Sequence, residues 1–238
     1  MGNENGEWIM HGLPASDPGC IRTSDALIEY IDKVGFLPLF SCGIPGFSVE
    51  EHTEAGSWWG GDPLHDPWEW RAIIARSGRA AYGKFFWNKA GFISIDWLPY
   101  FVNYRRDGYD FDALWDDGKA SFRQKRIMDQ FGGDTELFSN ELKLRAGYGK
   151  GGEPNFEGMV TGLQMDLYLC VRDFRQRLNK AGQPYGWAIA VFCTPEHLWG
   201  YDKITSAYRE APAVSRARIH ERMRTLYPGV TDEQLEKL

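Results

Sequence analysis

The order of helix and strand patterns after residue 120 constrains the fold of this chain more than any other feature. Three helical patterns, the second and third separated by a Gly/Lys-rich turn, precede two strand patterns that enclose a polar loop. These elements begin at Ser121, Ser139, Phe156, Leu167 and Tyr185. Helix, helix, turn, helix, strand, loop and strand over about 70 residues is the element order of a winged helix. The alternative interpretation of the same pattern is an unspecialised α+β domain with a hairpin.

The first half of the chain predicts shorter elements. A helix capped by Thr23 or Ser24 carries apolar residues at helical spacing and ends at Gly35. The stretch 36–47 contains two Pro and two Gly and predicts mostly turn. The elements that follow are a helix from Asp66 to Ser77 and strands over 82–86 and 90–95.

We therefore expect an α+β protein in which a winged-helix domain follows an N-terminal mixed helical region. The expected parts are a flexible tail or loosely docked arm over 1–20, an N-terminal helical and mixed region over 21–120, a winged-helix domain over 121–200 and an exposed, Arg-rich C-terminal helical segment over 201–238.

The composition excludes several classes of protein. With 43% hydrophobic and 15% aromatic residues, the chain can bury a sizeable core, which excludes disorder over most of its length. No apolar run approaches the roughly 18 residues of a membrane helix, and the N-terminus has no signal-peptide pattern. We therefore expect a cytoplasmic protein without a membrane partner. The four cysteines form no C-x-x-C pair, and the sequence indicates neither a metal site nor a cofactor.

The charge is unevenly distributed along the chain, whose net charge is −6. Residues 1–120 hold 10 Lys and Arg against 18 Asp and Glu, a balance of −8. Residues 121–180 hold 10 against 8, a balance of +2, and residues 181–238 hold 7 of each. The middle segment is thus the least repulsive to a polyanion.

Seven basic residues lie where a winged helix faces the phosphate backbone of DNA. Three lie near the Gly/Lys-rich turn and four on the expected wing: Lys143, Arg145, Lys150, Arg172, Arg175, Arg177 and Lys180. We predict that these residues bind DNA, with duplex DNA as the partner. The alternative is a charged, solvated hairpin loop.

An aromatic segment predicts either a rigid core or a pocket that stacks a flat ligand such as a nucleobase. Trp68 and Trp70 are two residues apart, so on a helix they point about 200° apart and only one can lie in the main core. We predict a pocket that includes Trp68, Trp70, Phe86 and Asn88.

The tract 85–106, FFWNKAGFISIDWLPYFVNYRR, resembles the conserved tract of the AlkZ/YcaQ-type bacterial DNA glycosylases. In that family an aromatic-Trp-x-His-x-Ala sequence is followed by an acidic residue, Pro-x-Phe and a basic pair. On this match Phe86 takes the Trp position, Asn88 the His position, and Arg105 and Arg106 the basic positions. Residues 123–195 resemble the later winged helix of the family, and the resemblance extends over roughly 23–235.

The catalytic signature of that family is absent from the corresponding stretch of this chain. The family has a Gln-apolar-Gln or Gln-apolar-Asp triplet after its first helix, where this sequence has Leu37, Pro38 and Leu39. Those apolar residues cannot activate a water molecule, and Asn88 cannot titrate near neutral pH. The sequence therefore identifies no catalytic residue.

Three functions remain open at this point. The first is a DNA-associated winged-helix protein without the usual base-excision chemistry of the family. The second is an enzyme with a rebuilt site, in which a carboxylate such as Asp110 or Asp112 acts on a nucleobase or small molecule. The third is a protein-interaction module that does not bind nucleic acid, which the net charge of −6 favours.

Overall fold

The computed structural model describes residues 9–132 and 136–238. Residues 1–8 of the expected tail lie outside this range. The described end of the tail is docked, because the backbone N–H of Leu13 donates to the carbonyl of Thr53 at 3.0 Å and the side chain of Cys20 is buried. Within the described residues the chain is a mixed α/β protein with eleven helices and two three-stranded antiparallel sheets.

The chain forms two compact units that differ from the parts expected from sequence. Among the described residues, the first unit comprises 9–97 together with 217–238, and the second comprises 98–132 and 136–216. The boundaries therefore fall at 97/98 and 216/217, where the sequence analysis places them at 120/121 and 200/201. The C-terminal segment belongs largely to the first unit.

The first unit contains helices α1 (Ser24–Val34) and α2 (Pro67–Ser77) and strands β1 (Phe36–Pro38), β2 (Ala80–Phe86) and β3 (Lys89–Ser94). The side chains of Thr23 and Asp66 cap the two helices, as predicted, and Gly35 and Gly78 end them. The strand order is β1-β3-β2. Single 3-10 turns over Glu50–His52 and Ala55–Ser57 lie between β1 and α2.

The start of the predicted turn 36–47 is a strand. Phe36, Leu37 and Pro38 pair with Ile93, Phe92 and Gly91 of β3. Pro38 donates no N–H to a ladder, which restricts it to an edge strand, and β1 is at the edge of its sheet. All three residues of β1 are buried, so tertiary packing overrides the local preference for turn.

The first eight α-helices and β-strands of the second unit lie between residues 98 and 193, and those after residue 120 follow the predicted order with one short additional strand. They are α3 (Leu98–Arg105), α4 (Phe111–Asp116), α5 (Phe122–Met128), β4 (Leu137–Phe138), α6 (Ser139–Arg145), α7 (Phe156–Met165), β5 (Cys170–Leu178) and β6 (Pro184–Cys193). The Ser121 side chain caps α5 in a capping box with Gln124. The sheet order is β4-β6-β5, and α5 packs against α7. The additional strand is β4, which precedes α6.

Four short or amphipathic helices complete the chain. They are α8 (Pro195–Trp199), α9 (Tyr201–Ile204), α10 (Pro212–Leu226) and α11 (Asp232–Glu236). The expectation of an exposed C-terminal segment is wrong for one face of α10, because Ser215, Ile219 and Met223 are fully buried there. None of the helices in the described part of the chain is long and apolar enough to cross a membrane.

Candidate nucleic-acid interface

The outer half of the hairpin formed by β5 and β6 is exposed to solvent. At its base Cys170 pairs with Cys193, and the two buried sulfur atoms are 3.6 Å apart. Every residue over 176–188 is exposed. The side chain of Asn179 accepts hydrogen bonds from the backbone N–H groups of Ala181 and Gln183, which fixes the turn at the tip. The strands of the predicted wing extend further than expected, to Leu178 and from Pro184, and the loop between them is shorter, over 179–183.

Two of the four cations predicted on the wing, Arg172 and Arg175, form ion pairs with carboxylates. Arg172 Nε donates to Glu136 Oε1 at 3.1 Å, and Arg175 Nη2 contacts Glu136 Oε2 at 2.8 Å. Arg175 Nε also donates to the buried carboxylate of Asp173 at 2.8 Å. These contacts hold the base of the hairpin in place. They also reduce the positive charge with which either arginine could attract a phosphate.

The outer two cations of the hairpin, Arg177 and Lys180, differ from Arg172 and Arg175 in their contacts with carboxylates. Arg177 and Lys180 lie on the exposed part of the hairpin, and neither forms an ion pair within the described residues. The guanidinium carbon of Arg177 lies 4.9 Å from the centroid of the Tyr185 ring. The tip of the hairpin therefore carries two cations that form no ion pair within the described residues.

The turn after α6 presents a second pair of cations. Lys143 and Lys150 line a surface depression together with Leu144, which is 67% exposed. Arg145, the third residue predicted here, forms an ion pair with Glu141 at 2.6 Å on the same helix. Gly147 is required at this turn, because it has a φ of +80° and the Arg126 guanidinium occupies the place of a Cβ.

Helix α7, which precedes the hairpin, carries little that could contact DNA. Its sequence is FEGMVTGLQM, in which Glu157 is the sole charged residue and is exposed. Gln164 is buried and donates to the carbonyl of Val160. The usual base-reading helix of a winged helix would use side chains that reach base edges, and α7 offers no Lys or Arg for that purpose.

The four residues of the predicted aromatic pocket occupy different environments in the first unit. Trp70 and Phe86 are fully buried, Trp68 is half-buried and Asn88 is exposed in the β2–β3 turn. The Arg71 guanidinium lies 3.5 Å from the centroid of a Trp68 ring, whereas Phe86 packs on Phe36 and Phe47. A cavity of about 230 Å³ in this unit is lined by His65 and Pro67 but by none of the four predicted residues.

A polar cavity of about 290 Å³ lies in the second unit, where the sequence analysis predicts no site. Its lining includes Arg105, Arg106 and Lys119 together with Asp107 and Asp166. Burial lowers the pKa of Arg105 to about 10. Burial also raises the pKa of Asp166, since the loss of hydration outweighs the two neighbouring arginines. One sequence feature marked residues of this cavity: Arg105 and Arg106 occupy the basic positions of the family resemblance.

Arg106 is buried in the second unit, where its side chain contacts several distant parts of the chain. Its side chain is 1% exposed, with Nη1 2.5 Å from Glu196 Oε1 and Nη2 2.6 Å from the carbonyl of Leu167. Tyr168 and Tyr208 lie close to it, and burial raises the pKa of both phenols. The carboxylate considered for a rebuilt site, Asp110, accepts from Tyr201 Oη at 2.7 Å, and the other, Asp112, lies in the first turn of α4.

Leu37, Pro38 and Leu39, which the family resemblance aligns with the catalytic triplet, lie in the buried core of the first unit. Leu37 and Leu39 are fully buried, and the backbone N–H of Leu39 donates to the carbonyl of Ala90 at 2.8 Å. The described residues contain no cluster of His, Cys, Asp and Glu that could hold a metal ion.

The fold and these surfaces define a mixed α/β protein whose second unit carries a protruding basic hairpin. A family model described as AlkZ related matches residues 21–238, and the chain belongs to the AlkZ-related family. Its members have a DNA glycosylase-like scaffold. Neither the curated proteins nor the solved structures contain a match to this chain.

Proposed function

We propose that this AlkZ-related protein is a DNA-associated protein in which residues 122–193 form a winged helix. The observation that carries the proposal is the element order α5-β4-α6-α7-β5-β6 with a sheet order of β4-β6-β5. That arrangement leaves the β5–β6 hairpin as the wing, with its free cations at the tip. Lys143 and Lys150 supply a second contact to the phosphate backbone.

The same proposal holds that the usual base-excision chemistry is absent. Glycosylases of this family use polar side chains at the triplet, whereas here Leu37 and Leu39 are buried and contribute to a hydrophobic core. A general base must lie within hydrogen-bond reach of the attacking water, and no side chain of β1 can do this.

We expect no excision from alkylated duplex DNA above the uncatalysed rate. The measurement is the release of abasic sites from an alkylated duplex, detected by strand cleavage after alkali treatment. Asp110→Asn and Asp112→Asn are the matched controls. Robust product that disappears in either variant would contradict the proposal and show that the site has been rebuilt.

Duplex binding should depend steeply on salt, because each neutralised phosphate contributes about −0.9 to the slope of log K against log salt concentration. The double variant Lys143→Glu/Lys150→Glu should make that slope shallower by about 2. Lys33→Glu/Lys89→Glu changes two exposed lysines of the first unit and the same net charge, so it should leave the slope nearly unchanged. The measurement is fluorescence anisotropy of a labelled duplex over a salt series.

The second candidate function is a protein-interaction module. Helix α7 favours it, since this helix has no cation and presents Glu157 to solvent. The second unit also holds 16 basic and 16 acidic residues over 98–216 and has no net charge. Wild-type protein that fails to bind duplex at about 50 mM salt would favour this function over DNA association.

A further inference from the structure

Trp187 is the most exposed large hydrophobic side chain among the described residues. It is 91% exposed and lies on β6 in the solvent-exposed half of the hairpin. Tryptophan is highly buried on average in folded proteins because its indole is large and mostly apolar. An indole that contacts almost nothing in its own chain is thus available to a partner.

A bulge in the hairpin displays this side chain. Arg175 pairs with Ile189 and Arg177 with Tyr185, so three residues of β6, 186–188, oppose Gln176 alone. Gly186 has a φ of +71°, a conformation that favours glycine, and its carbonyl accepts from Gln176 Nε2 at 2.7 Å. Such bulges redirect a side chain away from the regular alternation of a strand.

The residues around the indole suit a ligand that carries several negative charges and exposes the faces of its own aromatic rings. Residues 176–188 contain two cations and no carboxylate. The Arg177 guanidinium lies beside Gly186, the residue before Trp187, with Nη2 3.9 Å from the place of a Cβ. Tyr185 is 42% exposed and adds a second aromatic ring. Two copies of this positive segment would repel one another, and a single indole among polar turn residues is a weak membrane anchor.

We propose that the wing tip binds single-stranded DNA, with Trp187 stacked on an unpaired base and Arg177 and Lys180 on the flanking phosphates. In a duplex the faces of the bases are already stacked on one another, so an indole gains a base face only where a strand is unpaired. This inference rests on the proposed DNA association and specifies which form of DNA this surface prefers.

The test compares three labelled ligands by fluorescence anisotropy: an oligothymidylate of about 20 nucleotides, an abasic-spacer strand of equal length and a duplex of equal length. Trp187→Ala should weaken binding of the oligothymidylate about 5- to 150-fold, the range expected for one stacked base. Trp187→Phe should restore most of this loss. Binding of the abasic strand should be nearly unchanged by either variant, because that strand has the phosphates without the bases.

Trp59→Ala is the matched control, since Trp59 is also exposed, at 52%, and lies in the first unit. It should bind all three ligands as the wild type does. Equal affinity of Trp187→Ala and wild type for the oligothymidylate would overturn the inference, as would an equal loss on the abasic strand.

The failure of this inference is distinguishable from that of the proposed function. Salt-dependent duplex binding with no effect of Trp187→Ala overturns the stacking role alone. Wild-type protein that binds none of the nucleic acids overturns both. In that case, self-association or binding to anionic phosphatidylserine vesicles that Trp187→Ala abolishes would assign the indole to a protein or lipid partner.

Discussion

At the residue scale, the ion pair of Arg106 and Glu196 is the most consequential contact that the sequence did not predict. The two residues are 90 positions apart, and no local pattern links them. The resemblance marked Arg106 as a basic position without indicating that its side chain is buried. By contrast, the caps at Thr23, Asp66 and Ser121 were predictable, since each depends on residues within three positions.

Glu196→Gln should lower the free energy of unfolding by about 3 kcal/mol, because it keeps the shape of the side chain but leaves a buried guanidinium without its counter-charge. Glu196 is 25% exposed, so we expect the lower end of the range for a broken buried pair. Urea unfolding followed by circular dichroism measures this change.

The matched control is Glu233→Gln, which breaks the exposed ion pair with Lys237. Exposed pairs contribute little to stability because water and salt screen them, so this variant should unfold at the wild-type urea concentration. Equal stability of the two variants would show that Glu196 does not compensate the buried charge of Arg106.

At the element scale, the long elements were predictable and the short strands were not. The β5–β6 hairpin and the helices α1, α2 and α7 follow from apolar periodicity and from their flanking Gly and Pro residues. Strands β1 and β4 have three and two residues, which is too few to show alternation. They exist because β3 and β6 each present a free edge to pair with.

The candidate interface was predicted in part, at the scale of elements. The sequence placed seven cations on the turn and the expected wing, and the i,i+4 spacing of Glu141 and Arg145 made their pair predictable. It could not show that Arg172 and Arg175 pair with Glu136. Glu136 in particular is 36 residues before Arg172 in the chain. The bulge that displays Trp187 was also hidden, since a Gly within a strand pattern is compatible with either a bulge or a turn.

At the scale of the whole molecule, the first unit is built from two separate stretches of the chain. The C-terminal stretch contributes specific contacts to it: Arg222 Nε donates to the carbonyl of Val34 at 3.1 Å, and Gln234 Nε2 to that of Gly43 at 3.1 Å. The rings of Tyr227 and Phe47 are 5.0 Å apart. Sequence periodicity identifies such helices but not the unit on which they pack.

A variant that ends at Leu226 should destabilise the first unit by about 3 kcal/mol or more, because it removes the aromatic ring of Tyr227 and the buried side chain of Leu235. Hydrogen exchange locates the effect: the amides of β2 and β3 should exchange faster, while those of β5 and β6 should keep their protection. Uniform acceleration in both sheets, or none in either, would contradict this division of the chain.

The split construction of the first unit also affects the order in which the protein can mature on the ribosome. Residues 98–216 form a continuous unit and emerge complete while the first unit still lacks 217–238. At about 5–20 residues per second, translation of 217–238 makes this delay roughly 1–4 s. During this delay, apolar residues such as Phe47 lack their C-terminal partners. The first unit therefore exposes apolar surface that chaperones can bind until the last helices have been translated.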